Sequence, residues 1–386
     1  MSTVTQERIL GELRALAPGF RERARQTEDE RALPARSVAE LLDAGMARIL
    51  MPRRFGGEEL GFDTWFDAVR IVGGADASHG WCASLMSHHA HYIAQMELAA
   101  QEDVWANGPD VAVSVSLAPT CEAVKADGGY RISGKSPFTS GILHSPWALI
   151  GGRRPTENGP DWTLFLVPST DFKVLDTWQM TGMRGTGSNT VVTEQVFVPE
   201  THILRLADLY EGTGPGGQLY ENQIYRQPFV SYSTLTFVTP ILGAVEGALE
   251  EFCEQTKRRQ SRDHRPLVEN RAFAASAAMA AADLDAARLL LERIVEVASR
   301  PEVVSLEDRA RGLRDAARAA QLLVSSVNEL LSLSGTSGFE AGNPIQRAWR
   351  DANFASHHLI LNANENAANW TRLKLGLDRD PSQMLY

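Results

Sequence analysis

Six of the nine histidines fall in two short stretches: His79, His88, His89 and His91 lie within thirteen residues, and His357 stands next to His358. An imidazole titrates near neutral pH, so such a group can move a proton or bind a metal. Metal binding needs ligands that converge. His88 can share a helix face with His91 or Tyr92, yet the chain holds no HExxH or ExxH pairing, and no metal site is expected. A second set of candidates is rich in hydroxyls and flanked by glycine: Ser136 to Gly141 (SPFTSG) and Thr181 to Ser188 (TGMRGTGS). Their hydroxyls and backbone amides can hold a planar heterocycle or a phosphate, and each segment also fits a plain turn. Gly212, Gly214 and Gly217 match GxGxxG formally. No strand leads into them and no apolar helix follows, so the stretch reads as a mobile loop rather than a dinucleotide site.

The elements that must carry these groups change rhythm twice. From residue 1 to about 109 the apolar spacing is helical, as in Val38, Leu41 and Leu42, and Ser78 can cap a helix that carries Trp81 and the first histidine group. Between about 110 and 200, short β-rich runs such as VAVSVSLA, WTLFLVP and TVVTEQVFVP alternate with Gly, Pro, Asn and Asp, which indicates a compact β domain. A loop region, 201–230, follows. From 231 to 386 long amphipathic stripes return, for instance Leu284, Leu291, Ile294 and Val295, and predict an antiparallel bundle. Within it Asn343 caps, and Pro344 opens, a helix that carries Arg347, Trp349, Arg350 and Asp351 toward His357 and His358. The Ala-rich run from Ala272 to Ala287 permits close helix approach, inside the chain or between subunits.

Composition narrows the function classes. The chain has 386 residues, 44% hydrophobic and 22% charged, with a formal net charge of -10. Its basic residues are scattered, which disfavours nucleic acid as a partner. Three distant cysteines form neither a disulfide framework nor a metal knuckle, so a reducing, cytoplasmic setting is expected. No apolar run is read as approaching bilayer length, and residues 1–31 lack the apolar core of a signal peptide, so no membrane partner is expected.

Four segments, SVSLAP (Ser114 to Pro119), GGYRISGKSPFTSG (Gly128 to Gly141), GMRGTGSNTVVTEQVFVP (Gly182 to Pro199) and NPIQRAWRD (Asn343 to Asp351), resemble the acyl-CoA dehydrogenase fold in order and spacing, over about residues 7–375. The resemblance implies an α+β chain: an N-terminal helical domain, a central β-barrel or sandwich domain and a C-terminal four-helix bundle. Within that fold the chain is most similar to the oxygenase components of two-component flavin monooxygenases, whose helix with a histidine upstream of a VW pair matches His89, Val104 and Trp105. One departure separates the branches. Many acyl-CoA dehydrogenases place a Glu eight residues after the RD pair to remove a proton; here that position is Leu359, which cannot accept one.

What the monooxygenase resemblance implies is specific. Reduced flavin, FADH2 or FMNH2, comes from a separate NAD(P)H:flavin reductase, reacts with O2 to a C4a-hydroperoxyflavin and hydroxylates a phenolic or indolic small molecule. His358 is cast as the base that raises substrate electron density, and His89 as the group that orients substrate or assists proton transfer. Thr139 and Ser140 are placed beside flavin N5, with Gly141 adjoining. Ser114 and Ser116 line the pyrimidine or substrate side, and Arg184, Thr186 and Ser188 serve as phosphate or ring contacts. Trp81 and Phe138 help to form the substrate pocket. Gly335, Thr336 and Gly338 cradle the flavin of a neighbouring subunit in a homotetramer. An acyl-CoA dehydrogenase, and an N-oxygenase of amino sugars, remain as alternatives on the same fold.

Overall fold

The computed structural model describes residues 2–261 and 263–380; residues 381–386 of the expected C-terminal region lie outside the described residues. Helical periodicity produces helices as far as Val104: α1 (Ser2–Glu30), α2 (Ala35–Asp43), α3 (Phe62–Ala75), α4 (Ala77–Gln95) and α5 (Leu98–Val104). Seven strands follow: β1 (Val113–Ala126), β2 (Gly129–Thr139), β3 (Trp147–Arg154), β4 (Asp161–Pro168), β5 (Lys173–Leu175), β6 (Asn189–Pro199) and β7 (Ile203–Arg205). They form one mixed sheet in the order β5-β6-β2-β1-β3-β4-β7. All neighbours are antiparallel except β1 and β3. β4 and β6 touch although they are four places apart in that order, so the sheet bends over a core of its own that includes Tyr130, Ile132, Phe165 and Val191.

A short helix, α6 (Leu206–Glu211), and several single turns lead into α7 (Leu235–Thr256), α8 (Arg271–Ala298), α9 (Leu306–Ser334), α10 (Pro344–Ala355) and α11 (Ala363–Lys374). The region expected to be a mobile loop is instead packed down. Gln95 at the end of α4 donates to the Tyr225 carbonyl at 2.7 Å, and Tyr220 and Tyr225 are buried, so the glycine-rich run is the lining of a packed joint. α7 also corrects the reading of apolar runs: it is long and apolar enough to cross a membrane, but 89% of its apolar window is buried inside the protein. There it packs against α3, α4, α9 and α10, the role of a core helix.

α4 is the axis of the molecule. Every residue from Ala77 to Gln95 is buried, so this helix has no solvent face on which to leave its polar groups, and each must find a partner inside. Its histidines do so by reaching three different elements. His88 Nδ1 meets Thr236 Oγ1 of α7 at 2.6 Å, His89 Nδ1 meets the Val113 carbonyl of β1 at 2.6 Å, and His91 meets the Ile224 carbonyl at 2.9 Å. That divergence explains the histidine density without a metal: among the described residues no three His, Cys, Asp or Glu side chains gather as ligands. The cap of α4 is Asp76, not Ser78. The Asp76 carboxylate accepts from the His79 N–H at 3.1 Å, and Ser78 falls inside the first turn.

Candidate active site

The loop between β5 and β6 is held from below by α10. Asp351 accepts from the Met183 N–H at 2.6 Å, and Arg350 donates to the Thr181 carbonyl at 2.8 Å. The glycines of GMRGTGS serve this close approach: a Cβ on Gly182 would meet the Arg350 carbonyl oxygen at 2.5 Å, and one on Gly185 would meet Thr27 of α1 at 2.1 Å. Arg184 donates from Nε and Nη1 to the carbonyls of Glu28 and Met180 and so ties the loop to α1. The RD pair and the glycine loop are therefore one clasp.

The clasp sets a line of hydroxyls. Thr186 Oγ1 donates to the Met183 carbonyl at 2.9 Å and lies 2.7 Å from Ser188 Oγ, which lies 2.7 Å from Ser140 Oγ. Trp81 Nε1 of α4 donates to Ser140 Oγ at 3.3 Å. The Gly141 N–H donates to the Thr186 carbonyl at 2.8 Å, joining the end of β2 to the same loop. Ser114 and Ser116 do not present free protons. They donate to the carbonyls of Ser140 and Pro137, at 2.7 and 3.0 Å, and so fix the segment that carries Ser140. Thr139 is fully buried and bonded to the Ser136 carbonyl, whereas Ser140 is half-buried. Of the two adjacent hydroxyls, only Ser140 faces an opening.

That opening is a small crevice lined by Leu33, Cys82, Met86, Val113, Ser114 and Ser140, among others. His89 follows Cys82, Leu85 and Met86 on the same face of α4. Burial pushes its imidazole down to about 4, so it is neutral at pH 7. Because its Nδ1–H is given to Val113, Nε2 carries the lone pair, and no described residue bonds to it.

His358 packs against Trp81. It is not on the helix expected to carry it: α10 ends at Ala355, and His358 begins the next turn. Its ring stacks on Phe237 with centroids 3.8 Å apart and meets Trp81 edge-on at 6.1 Å. Burial against these rings pushes the imidazole down to about 4, leaving it uncharged at pH 7, with Nδ1 accepting from the Ile360 N–H at a long 3.4 Å. His357, by contrast, is exposed and bonded to the Asn353 carbonyl at 2.7 Å. Leu359, where the carboxylate is missing, is 71% exposed and points away from the cluster.

Phe138 is 63% exposed and has a φ of +59°, which an aromatic residue adopts at a cost of about 1–3 kcal/mol. It meets Trp178 edge-on, and Trp178 meets Phe354 of α10 in the same way. Gly335, Thr336 and Gly338 form the turn between α9 and α10, whose packing partners are those two helices. The fold thus brings together Trp81, Ser140, Gly141, Thr186, Ser188 and His358, with His89 about two turns along α4 from Trp81, and leaves the Gly335 turn elsewhere. Sequence reasoning missed Phe237, Ser145 and Trp178. Phe237 sits in an apolar helix and carries no signal that separates it from core; Ser145, 2.8 Å from Ser114, belonged to no motif.

Beneath the clasp lies a buried charge cluster. Arg347 reaches Asp76 at 3.6 Å, and Asp76 bonds His79 at 2.8 Å. Burial and the nearby Asp76 charge push the Asp351 carboxyl up to about 7. Its folded pKa exceeds its unfolded one, so the stability it contributes is complete below about pH 4 and is lost as pH rises through 7. Asp351→Asn, which keeps an acceptor for Met183, should therefore gain stability relative to the parent at about pH 8 and little at about pH 4, by on the order of 2 kcal/mol between the two. Urea midpoints across that range check this; parallel curves would mean that Asp351 is ionised throughout.

The surroundings of Ser140, hydroxyls and an indole edge, are uncharged and suit a neutral heteroaromatic ring such as an isoalloxazine. Comparison with known proteins agrees with that fit. Residues 235–363 match the family described as acyl-CoA dehydrogenase, C-terminal domain. The oxygenase subunit HsaA of a flavin-dependent monooxygenase from Rhodococcus jostii (strain RHA1) is 36% identical over 353 residues, which cover 90% of this chain and 92% of that protein. The oxygenase component of an FADH(2)-dependent resorcinol hydroxylase from Rhizobium sp. (strain MTP-10005) is 33% identical, covering 96% and 95%. Among solved structures, XiaF from Streptomyces sp., in complex with FADH2 and glycerol, superposes with a TM-score of 0.91 at 26% identity, covering 99% of this chain and 98% of that one.

Proposed function

The chain belongs to the oxygenase components of flavin-dependent monooxygenases on the acyl-CoA dehydrogenase fold, and from that premise we propose that it hydroxylates a small phenolic or indolic compound with reduced flavin delivered by a separate reductase. The observation that carries this reading is the pairing of an uncharged hydroxyl cradle at Ser140 with a neutral imidazole, His358, across the indole of Trp81. Bound reduced flavin supplies, with O2, an electrophilic oxygen. This chain does the rest. His358 accepts the proton of a phenol O–H or indole N–H, which raises electron density on the ring to be attacked. Trp81 and Phe237 give that ring an apolar wall from which water is excluded. Ser140 would meet the flavin ring at N5, and Ser114 and Ser116 hold its segment of backbone in place. His89 Nε2, uncharged and unbonded, orients the substrate from about two turns farther along α4.

The finer assignment of partners is ours as well. In a homotetramer a neighbouring bundle brings its Gly335 turn to a flavin held by Ser140, which the turn does not approach within one chain. The first half of α8 supports this, because it leaves a run of alanines and Met279, 68% exposed, without cover. Light scattering should give a four-chain mass, and a fully active monomer would remove the Gly335 turn from the site.

To test the reaction itself, the purified chain is given chemically reduced flavin, O2 and a panel of phenols. Hydroxylated product should form without a reductase present, while the chain alone should oxidise NADH no faster than buffer does. Reduction of an electron acceptor with an acyl-CoA would overturn the assignment in favour of a dehydrogenase.

A further inference from the structure

The protons in the hydroxyl line can be assigned by counting. Thr186 Oγ1 lies 2.9 Å from the Met183 carbonyl oxygen, which can only accept, so the Thr186 proton is spent there. The contact between Thr186 and Ser188 must then carry the Ser188 proton, and the contact between Ser188 and Ser140 must carry the Ser140 proton. Trp81 Nε1–H can only donate, and it occupies one Ser140 lone pair. Ser140 is left with its single proton directed into the protein and one lone pair uncommitted. Thr186 and Ser188 are buried, so water does not compete for these positions.

We propose that Ser188, with Thr186 and Trp81, is a positioning residue that locks Ser140 as a hydrogen-bond acceptor, and that this lock makes the site select reduced over oxidised flavin. The inference rests on the reading that Ser140 faces flavin N5. Reduced flavin carries a hydrogen at N5, which an acceptor-only hydroxyl can bind. Oxidised flavin carries a lone pair there, which would face another lone pair. A serine free to rotate would serve both forms by turning its proton; one whose proton is held by Ser188 serves only the first. The chain thus takes the reduced carrier and releases the spent one, as suits a flavin that must leave to be reduced again.

The test is a ratio of affinities and requires no turnover. Dissociation constants of oxidised FAD and FMN are measured by fluorescence, and those of the dithionite-reduced forms by anaerobic titration, on the intact protein. In Ser188→Ala the Ser140 proton loses its acceptor and is free to turn to N5. In Thr186→Val, nearly isosteric, the Ser188 proton has only Ser140 left to bond, which frees the Ser140 proton in the same way. Both variants should bind oxidised flavin more tightly while binding of the reduced form is unchanged or weaker, so that the ratio of the oxidised to the reduced constant falls about tenfold. Ser188→Thr, which keeps the hydroxyl, should restore the parent ratio. Equal weakening of both forms, or no change, in the two variants would overturn the lock. Ser140→Ala separates the two layers: a changed ratio there with none in Ser188→Ala removes only the lock, whereas unchanged affinities in Ser140→Ala show that Ser140 does not face the flavin, and both fall.

Discussion

His358→Ala should slow oxygen transfer to a phenol by about a hundredfold to ten-thousandfold, the usual span for loss of a general base, while reduced flavin binds and reacts with oxygen as before. The separation follows from position. His358 stacks on Phe237 and meets Trp81 edge-on, and it makes no hydrogen bond to the Ser140–Ser188 hydroxyl line. His357→Ala is the internal control. Its ring is exposed and bonded to the Asn353 carbonyl, so its loss should be nearly silent. Burial lowers the His358 pKa to about 4, so the imidazole stays uncharged throughout the neutral range and is protonated only as pH falls through that value. The acid limb of the transfer rate should therefore lie near pH 4 and vanish in His358→Ala. Equal and mild effects at both histidines would move the base to His89, whose Nε2 is also uncharged.

Ser140→Ala should raise release of hydrogen peroxide about ten- to a hundredfold with oxygen still consumed, because one hydrogen bond to the flavin, about 1–3 kcal/mol, no longer opposes it. The neighbouring hydroxyl is a stringent comparison. Thr139 is fully buried and its proton is held by the Ser136 carbonyl at 3.0 Å, so Thr139→Val should cost stability but leave coupling intact. Peroxide assayed against product in single turnovers distinguishes the two. Leakage in Thr139→Val with none in Ser140→Ala would exchange their roles.

Local chemistry made part of this legible. Asn343 and Pro344 read as a helix start because a short polar side chain and a ring without an N–H suit those positions, and Asn343 Oδ1 does accept from the Ile345 N–H at 2.9 Å. At α4 the same logic selected the wrong neighbour, since Asp76 and Ser78 can both cap and the choice is made by His79, three residues on, together with Arg347, which reaches Asp76 from α10. His358 stands on a turn rather than on the helix expected to carry it. The glycines of the GMRGTGS loop were visible as glycines; that they exist to let α1 and α10 approach depends on Thr27 and Arg350, distant in sequence. The line of Trp81, Ser140, Ser188 and Thr186 lay beyond sequence reasoning for the same reason: its members sit on three separate segments, and only the clasp of Arg350 and Asp351 aligns them.

The central claim, an oxygenase that shields activated oxygen from water, is tested most directly by rapid mixing. Protein loaded anaerobically with reduced flavin is mixed with oxygenated buffer, without substrate, and the flavin absorbance is followed. A spectrum distinct from both the reduced and the oxidised forms should persist, then collapse with formation of hydroxylated product when a phenol is added. Direct conversion to oxidised flavin with stoichiometric hydrogen peroxide, whether or not a phenol is present, would contradict it.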